Sequence, residues 1–360
     1  MSILGAHDLD SQRTKLAELC QQLRELPHVP EIVELARKRQ QLLASYDVHR
    51  WFVPTEFGGF GWSAREQVEG YLEISSACLS TAFVLTQRTG AVNRIAASTN
   101  DSLKRDCLPG LAAGREFSTV GISHLTTSHR HLGNPVLTAR KTAGGFELNG
   151  FSPWVTGVSF ADSVVVGATC DDGTEILAHV STGQPGVSRP PLPQLVALTD
   201  SCTGEIRLEK VLVPNDRLVA GPAEKIMSSG SGGNTGGLQT STLAIGLSRA
   251  AIDFIEEQSA TRAGFHLPLV HLKEQFDSTR DYLFSLADGS PECSNESLRI
   301  QANSLVLRST QAALMVAKGA GYREGHPVGR WCREALFFLV WSCPQGVADA
   351  NLCELAQIAT

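Results

Sequence analysis

Two stretches hold the side chains best suited to proton or covalent chemistry. The first reads KGAGYREGHPVGRWCREALFFLVWSCPQ, from Lys318 to Gln345. A glycine turn at Gly319 and Gly321 feeds a helix bearing Arg330 and Arg333, and an apolar run then stops at Ser342, Cys343 and Pro344. A thiol acts as nucleophile or base only when its pKa is lowered, and a serine hydroxyl is not acidic near neutrality. A cysteine placed just after FFLVW is more often an inert buried thiol. The second stretch, SHLTTSHRH, carries His124, His129, Arg130 and His131. An imidazole titrates near working pH and suits general-base work, while the added positive charge suits a phosphate or carboxylate. The competing reading is a set of exposed histidines without a role. His129 and His131 alone make a weak metal signature, and no metal is expected. His326, in the GHP turn, reads as structural.

These residues need elements to hold them, and the pattern along the chain changes twice. Residues 1–115 carry apolar side chains at three- and four-residue spacing, as in EIVELARKRQQLLAS and EQVEGYLEISSACLSTAFVLTQRTGAVNRIAAS, which predicts helices. Residues 116–220 break into short β-branched runs such as FSTVGIS, GFELNGF, DSVVVGAT and EIRLEKVLV, which predicts a small antiparallel sheet or barrel. Residues 221–360 open on the glycine-rich MSSGSGGNTGGL and return to helical spacing, with GRWCREALFFLVW as the last member of an antiparallel bundle.

At 360 residues the chain is long enough for two or three substructures in one body. Hydrophobic residues at 42% and charged residues at 19% fit a well-buried enzyme and exclude a disordered chain. A net charge of −6 without a basic run argues against nucleic-acid binding. The apolar run ALFFLVW is too short to span a bilayer, and the N-terminus reads as no signal peptide. Nine cysteines without a C-x-x-C pair suit a reducing compartment, so a cytoplasmic location is expected.

Six motifs in this order resemble the acyl-CoA dehydrogenase superfamily: VPTEFGGFG, LPGLAAGREFSTVGISH, FELNGFSPWVTGVSFADSVVVGA, EIRLEKVLVPNDRL, LAIGLSRAAIDFIEEQSATRAGF and KGAGYREGHPVGRWCREA. The resemblance implies an α+β fold: an N-terminal helical domain, a middle antiparallel β-domain and a C-terminal four-helix bundle. It also implies FAD held between the β-domain and the bundle. By position Ser123 and Thr156 would supply polar contacts to the flavin and Trp154 would pack near its ring. Arg262, Phe265, Gly319 and Gly321 stand where relatives reach the cofactor of a neighbouring subunit, which implies a homodimer or homotetramer. Arg262 reads equally well as a cation capping its helix.

The match breaks at the catalytic base. Relatives remove an α-proton with a glutamate while hydride leaves for the flavin. Ser342 stands at that glutamate, with Trp341 before it at the usual tyrosine and Cys343 and Pro344 after it. The other known location falls at Gly236, so both are empty. His124, beside the presumed flavin strand, or Cys343 is then the candidate replacement, and Glu334 reads as an intrachain ion-pair partner. Three functions follow from these residues. One is an oxidoreductase acting on a small acyl substrate, CoA-bound or carrier-bound, with a relocated base. Another is a flavin-dependent monooxygenase, which needs no such base. The third is a catalytically degenerate binding protein.

Overall fold

The structure, a computed structural model, describes residues 6–26, 31–126, 135–228, 237–260 and 264–358, without the side chains of 6–11. Five helices come first: α1 (Ala6–Glu25), α2 (Ile32–Ser45), α3 (Ala64–Ala77), α4 (Leu79–Ala96) and α5 (Asp101–Ala112). Local chemistry starts two of them. Ser63 and Glu66 form a reciprocal capping box on α3, and the Asn100 side chain accepts from the Leu103 amide of α5. α4 is apolar on nearly every face because it lies between other elements, and its residues from Leu79 to Thr86 are all buried.

Eight strands follow: β1 (Ser118–Gly121), β2 (Leu137–Thr142), β3 (Gly145–Val155), β4 (Ser163–Cys170), β5 (Glu175–Ser181), β6 (Val187–Ser188), β7 (Gly204–Pro214) and β8 (Leu218–Ala223). A one-turn helix, α6 (Ser123–Thr126), follows β1. The strands lie in the order β6-β7-β3-β2-β4-β5-β8, with β1 also paired to β4. The sheet is mixed, which corrects the antiparallel expectation: β1 and β2 both run parallel to β4. A run of β-branched residues carries no direction. Direction comes from the connections, and neither β1–β4 nor β2–β4 is joined by a hairpin. β4 is buried on both faces, as a central strand with parallel neighbours must be.

The C-terminal helices are α7 (Leu238–Ser259), α8 (His266–Ala287), α9 (Asn295–Ala317), α10 (Pro327–Ala335) and α11 (Gln345–Leu355). The expected last helix over 329–341 stops at Ala335 and tightens into a 3-10 turn, Leu336–Leu339. One apolar core joins Leu19, Tyr71 and Leu85 of the N-terminal helices to Leu247, Leu283, Leu305 and Phe338 of the C-terminal ones. Another joins Ile95 and Leu108 to Val120, Val165 and Leu177 of the sheet. Among the described residues no helix is long and apolar enough to cross a membrane.

Candidate functional site

Gly121 ends β1 in close contact with β3. A Cβ there would lie 3.1 Å from Ser152 Oγ and 3.2 Å from Val155 Cγ2. The chain leaving β1, which carries Ser123 and His124, therefore starts beside the segment carrying Trp154 and Thr156. Trp154 is 49% exposed, an uncommon condition for a tryptophan at a strand end, whereas Thr156 is buried.

A row of hydroxyls stands behind Thr156. Thr203 donates to Thr156 Oγ1 at 3.0 Å, and Ser201 Oγ lies 2.7 Å from Thr203 Oγ1. Thr203 has one proton and gives it to Thr156, so Ser201 must donate to Thr203. The row thus runs one way, and its last proton, on Thr156, has no acceptor among the described residues. A hydroxyl donor next to an exposed aromatic face is what the polar edge and ring face of a flavin require. The residues present fit that end of the cofactor.

His124 is buried, and its Nε2 lies 2.8 Å from the Gly167 carbonyl on β4. A carbonyl only accepts, so that nitrogen carries the proton and donates. It is anchored to the sheet, whereas the sequence left open a loop histidine exposed to solvent. Among the described residues no group of three His, Cys, Asp or Glu side chains forms a metal site.

The second half of the candidate site comes from α4 and the chain after α10. Trp341 stacks on Phe337 with centroids 5.1 Å apart, and Phe83 of α4 meets Trp341 edge-on at 4.9 Å and Phe337 at 4.8 Å. From α9, Arg299 donates to the Trp341 carbonyl at 2.8 Å and Asn303 to the Phe338 carbonyl at 3.1 Å. These long-range donors occupy carbonyls that the end of a helical segment leaves unpaired. Ser342 follows in the left-handed region, at φ 48°. Burial pushes the Cys343 thiol up against the opposing pull of Arg299, so near neutrality it is a thiol. The Trp341–Cys343 corner is firmly held, and its own side chains include no carboxylate.

The structure separates the remaining candidates. Gly321 is buried, and a Cβ there would meet Ala317 Cβ at 2.7 Å, so the chain's own packing already requires glycine. Gly319 is exposed with open space around it. Phe265 precedes α8, half buried against the helical core. His326 caps α10, its Nδ1 accepting from the Val328 amide at 3.3 Å. Arg262, His129, Arg130, His131 and Gly236 lie outside the described residues.

Sequence reading named Glu334 as an intrachain ion-pair partner but missed the group around Asp200. Asp200, between β6 and β7, accepts from Arg39 of α2 and, at 2.6 Å, from Ser80 of α4. Glu334 of α10, the one buried carboxylate among the described residues, lies 3.6 Å from Arg330 Nε. Its ion partner is thus Arg330, one helical turn back. Burial pushes Glu334 up to about 7, against the pull of Arg330 and with Asp200 adding to the rise. Burial would also raise Asp200, but Arg39 and the Ser80 hydroxyl outweigh it and hold that carboxyl below its ordinary range. No local signal marks this group, because its members stand 120 and 161 positions apart.

Residues 13–115 match the family described as acyl-CoA dehydrogenase, N-terminal domain. The probable acyl-CoA dehydrogenase YngJ of Bacillus subtilis (strain 168) is 24% identical over 304 residues, covering 78% of this chain and 80% of its own. Residues 13–115 thus carry an acyl-CoA dehydrogenase N-terminal domain, and over most of its length the chain is similar to acyl-CoA dehydrogenases. Its fold is shared with butyryl-CoA dehydrogenase from Megasphaera elsdenii, at TM-score 0.79 and 19% identity over 97% of both chains. It is equally shared with dibenzothiophene monooxygenase (TdsC) from Paenibacillus sp. A11-2, at TM-score 0.78 and 16% identity over 97% of this chain and 98% of that one. Likeness at such identity speaks to the fold. The architecture of this superfamily accommodates both enzymes, so the site must decide the chemistry.

Proposed function

We propose that the protein is a flavin-dependent oxidoreductase that binds FAD and oxidises a C–C bond of an acyl thioester or related small substrate, using a base other than the superfamily's glutamate. The observation that carries this reading is the one-way hydroxyl row ending on Thr156 beside the half-exposed Trp154. When bound, a flavin supplies the acceptor for two electrons delivered as hydride. Thr156 would donate to the ring's polar edge, Trp154 would cover its face, and Ser123 would add a polar contact where β1 ends. Arg299 and Asn303 hold the Trp341–Cys343 corner, which in this reading faces the substrate. Exposed Met315 and Tyr322 flank the Gly319–Gly321 turn, where a second copy of the chain would complete the cofactor site in a homodimer or homotetramer. A cytoplasmic location belongs to the same proposal.

A second reading rests on a specific observation. No carboxylate stands at Ser342 or Cys343, the thiol there is protonated, and the proton-bearing nitrogen of His124 is tied to Gly167. A monooxygenase needs no base to take an α-proton, and this fold accommodates one.

The visible spectrum of the purified protein, followed by anaerobic addition of a panel of acyl-CoAs, separates these readings. A flavin band that bleaches with an acyl-CoA supports the first. A band that stays, with product formed only when oxygen and a flavin reductase are supplied, supports the second. Protein that is colourless even after reconstitution with FAD refutes both and leaves a binding role.

A further inference from the structure

Thr156 is useful to a flavin only if its hydroxyl is aimed, and β3 alone does not aim it. β3 ends at Val155, and beyond it the chain is held from outside: the Gly157 amide donates to the Ser201 carbonyl at 2.9 Å, and Thr156 takes its hydrogen bond from Thr203. Both contacts come from the short turn that carries Asp200. That turn is packed through Leu198 and Cys202, and Asp200 ties it by charge to the N-terminal helices, gripped by Arg39 from α2 and Ser80 from α4. Asp200 is therefore where the N-terminal helices reach the flavin-facing end of the sheet. From α10 the buried Glu334 carboxyl, 3.6 Å from Arg330 Nε, has its pKa raised in part by Asp200.

We propose that Asp200 is a positioning residue, the centre of a joint with Arg39 and Ser80 that locks the Thr156–Gly157 segment against α2 and α4, beside the Arg330–Glu334 pair of α10. Its consequence for catalysis rests on the flavin reading above, whereas the joint itself is geometry of this chain.

The groups facing Glu334 define two states of the joint. Arg330 and Arg333 face it from its own helix, Asp200 from the β6–β7 connection and Arg39 from α2. α4 contributes the uncharged Ser80, and the Cys78 thiol that precedes it lies beside Arg39. With Glu334 protonated, no second carboxylate competes with Asp200 for Arg39 and the turn is held. With Glu334 ionised, Arg39 is shared and the two carboxylates repel. The proton on Glu334 tightens the joint, and its loss on the alkaline side loosens it.

The test is amide hydrogen exchange on the full chain, wild type against Asp200→Asn, Ser80→Ala and Glu334→Gln. It reads the protection factor of Gly157 with Val166 and Ala178 of the β4–β5 ladder as internal reference. Asp200→Asn and Ser80→Ala are expected to lower Gly157 protection about tenfold and leave the ladder unchanged. Wild-type protection at Gly157 is expected to fall between about pH 6 and about pH 8, and Glu334→Gln to flatten that profile. In the flavin-loaded protein Asp200→Asn is expected to shift the flavin absorbance bands and lower kcat with KM unchanged, which a merely structural loss would not do. Unchanged Gly157 protection in Asp200→Asn overturns the joint, and identical pH profiles for wild type and Glu334→Gln overturn its proton link. Protein that never binds flavin defeats the flavin reading, while the exchange result still judges the joint.

Discussion

Arg39 and Arg88 are both deeply buried, yet they differ in what would be left behind without them. Arg39 neutralises Asp200. Arg88 is 0% exposed and donates to the Leu111 carbonyl near the C-terminal end of α5, with Nε and Nη1 unpartnered and no carboxylate against it among the described residues. Burial pulls its guanidinium down to about 9. Removing one member of a buried ion pair strands the other charge, so Arg39→Met should cost about 3–5 kcal/mol. Arg88→Met strands nothing charged and keeps much of the volume, so its cost should stay below about 2 kcal/mol. Urea unfolding of the two variants checks the ranking, and a larger loss for Arg88→Met would contradict this account. Trp154 and Thr156 could be singled out as candidate flavin contacts because they sit in a contiguous motif. The hydroxyl row behind them was not, since Ser201 and Thr203 come from a different strand connection.

Among the elements, α3 and α7 carry the contact between the N-terminal helices and the bundle. They approach most closely at Gly246, where an added Cβ would lie 2.8 Å from the Leu72 carbonyl and closer still to Ser75 Oγ. Alanine improves an exposed helix interior by about 1 kcal/mol over glycine. Here a backbone oxygen blocks the added methyl and the helices must part, so Gly246→Ala should destabilise by about 1–3 kcal/mol. A raised melting temperature would show that the interface yields. The helices were legible because apolar spacing is a local signal. The early end of α10 was not, since the apolar spacing of GRWCREALFFLVW does not separate a full helix from one that tightens into a 3-10 turn. The direction of β1 and β2 was hidden for the same reason, as strand chemistry is blind to polarity.

At the scale of the molecule, two buried titrating groups pull stability in opposite directions with pH. Glu334 has its folded pKa raised from 4.5 to about 7, so the native state holds a proton that the unfolded chain has lost. Its stabilisation is complete below 4.5 and is lost as pH rises through about 7, an effect of about 3 kcal/mol at most. Fully buried His49 is held well below 6.5, first by burial and then by Arg88. Its contribution is present above 6.5 and is lost as pH falls. The wild-type curve blends the two. The stability difference between wild type and Glu334→Gln should therefore shift in the variant's favour by about 3 kcal/mol from pH 4.5 to about 8, measured by denaturant titration. A pH-independent difference would mean that Glu334 titrates normally in the fold. By itself the sequence determined the helix–sheet–helix order and the likeness to acyl-CoA dehydrogenases, because each is written in neighbouring positions. Only the tertiary structure decided which hydroxyl donates to Thr156, which side chains hold the chain after α10 and that Arg39 and Ser80 grip Asp200. Those contacts join residues 35 to 161 positions apart, and a hydrogen bond or buried ion pair is fixed by distance in space, which spacing along a chain does not encode.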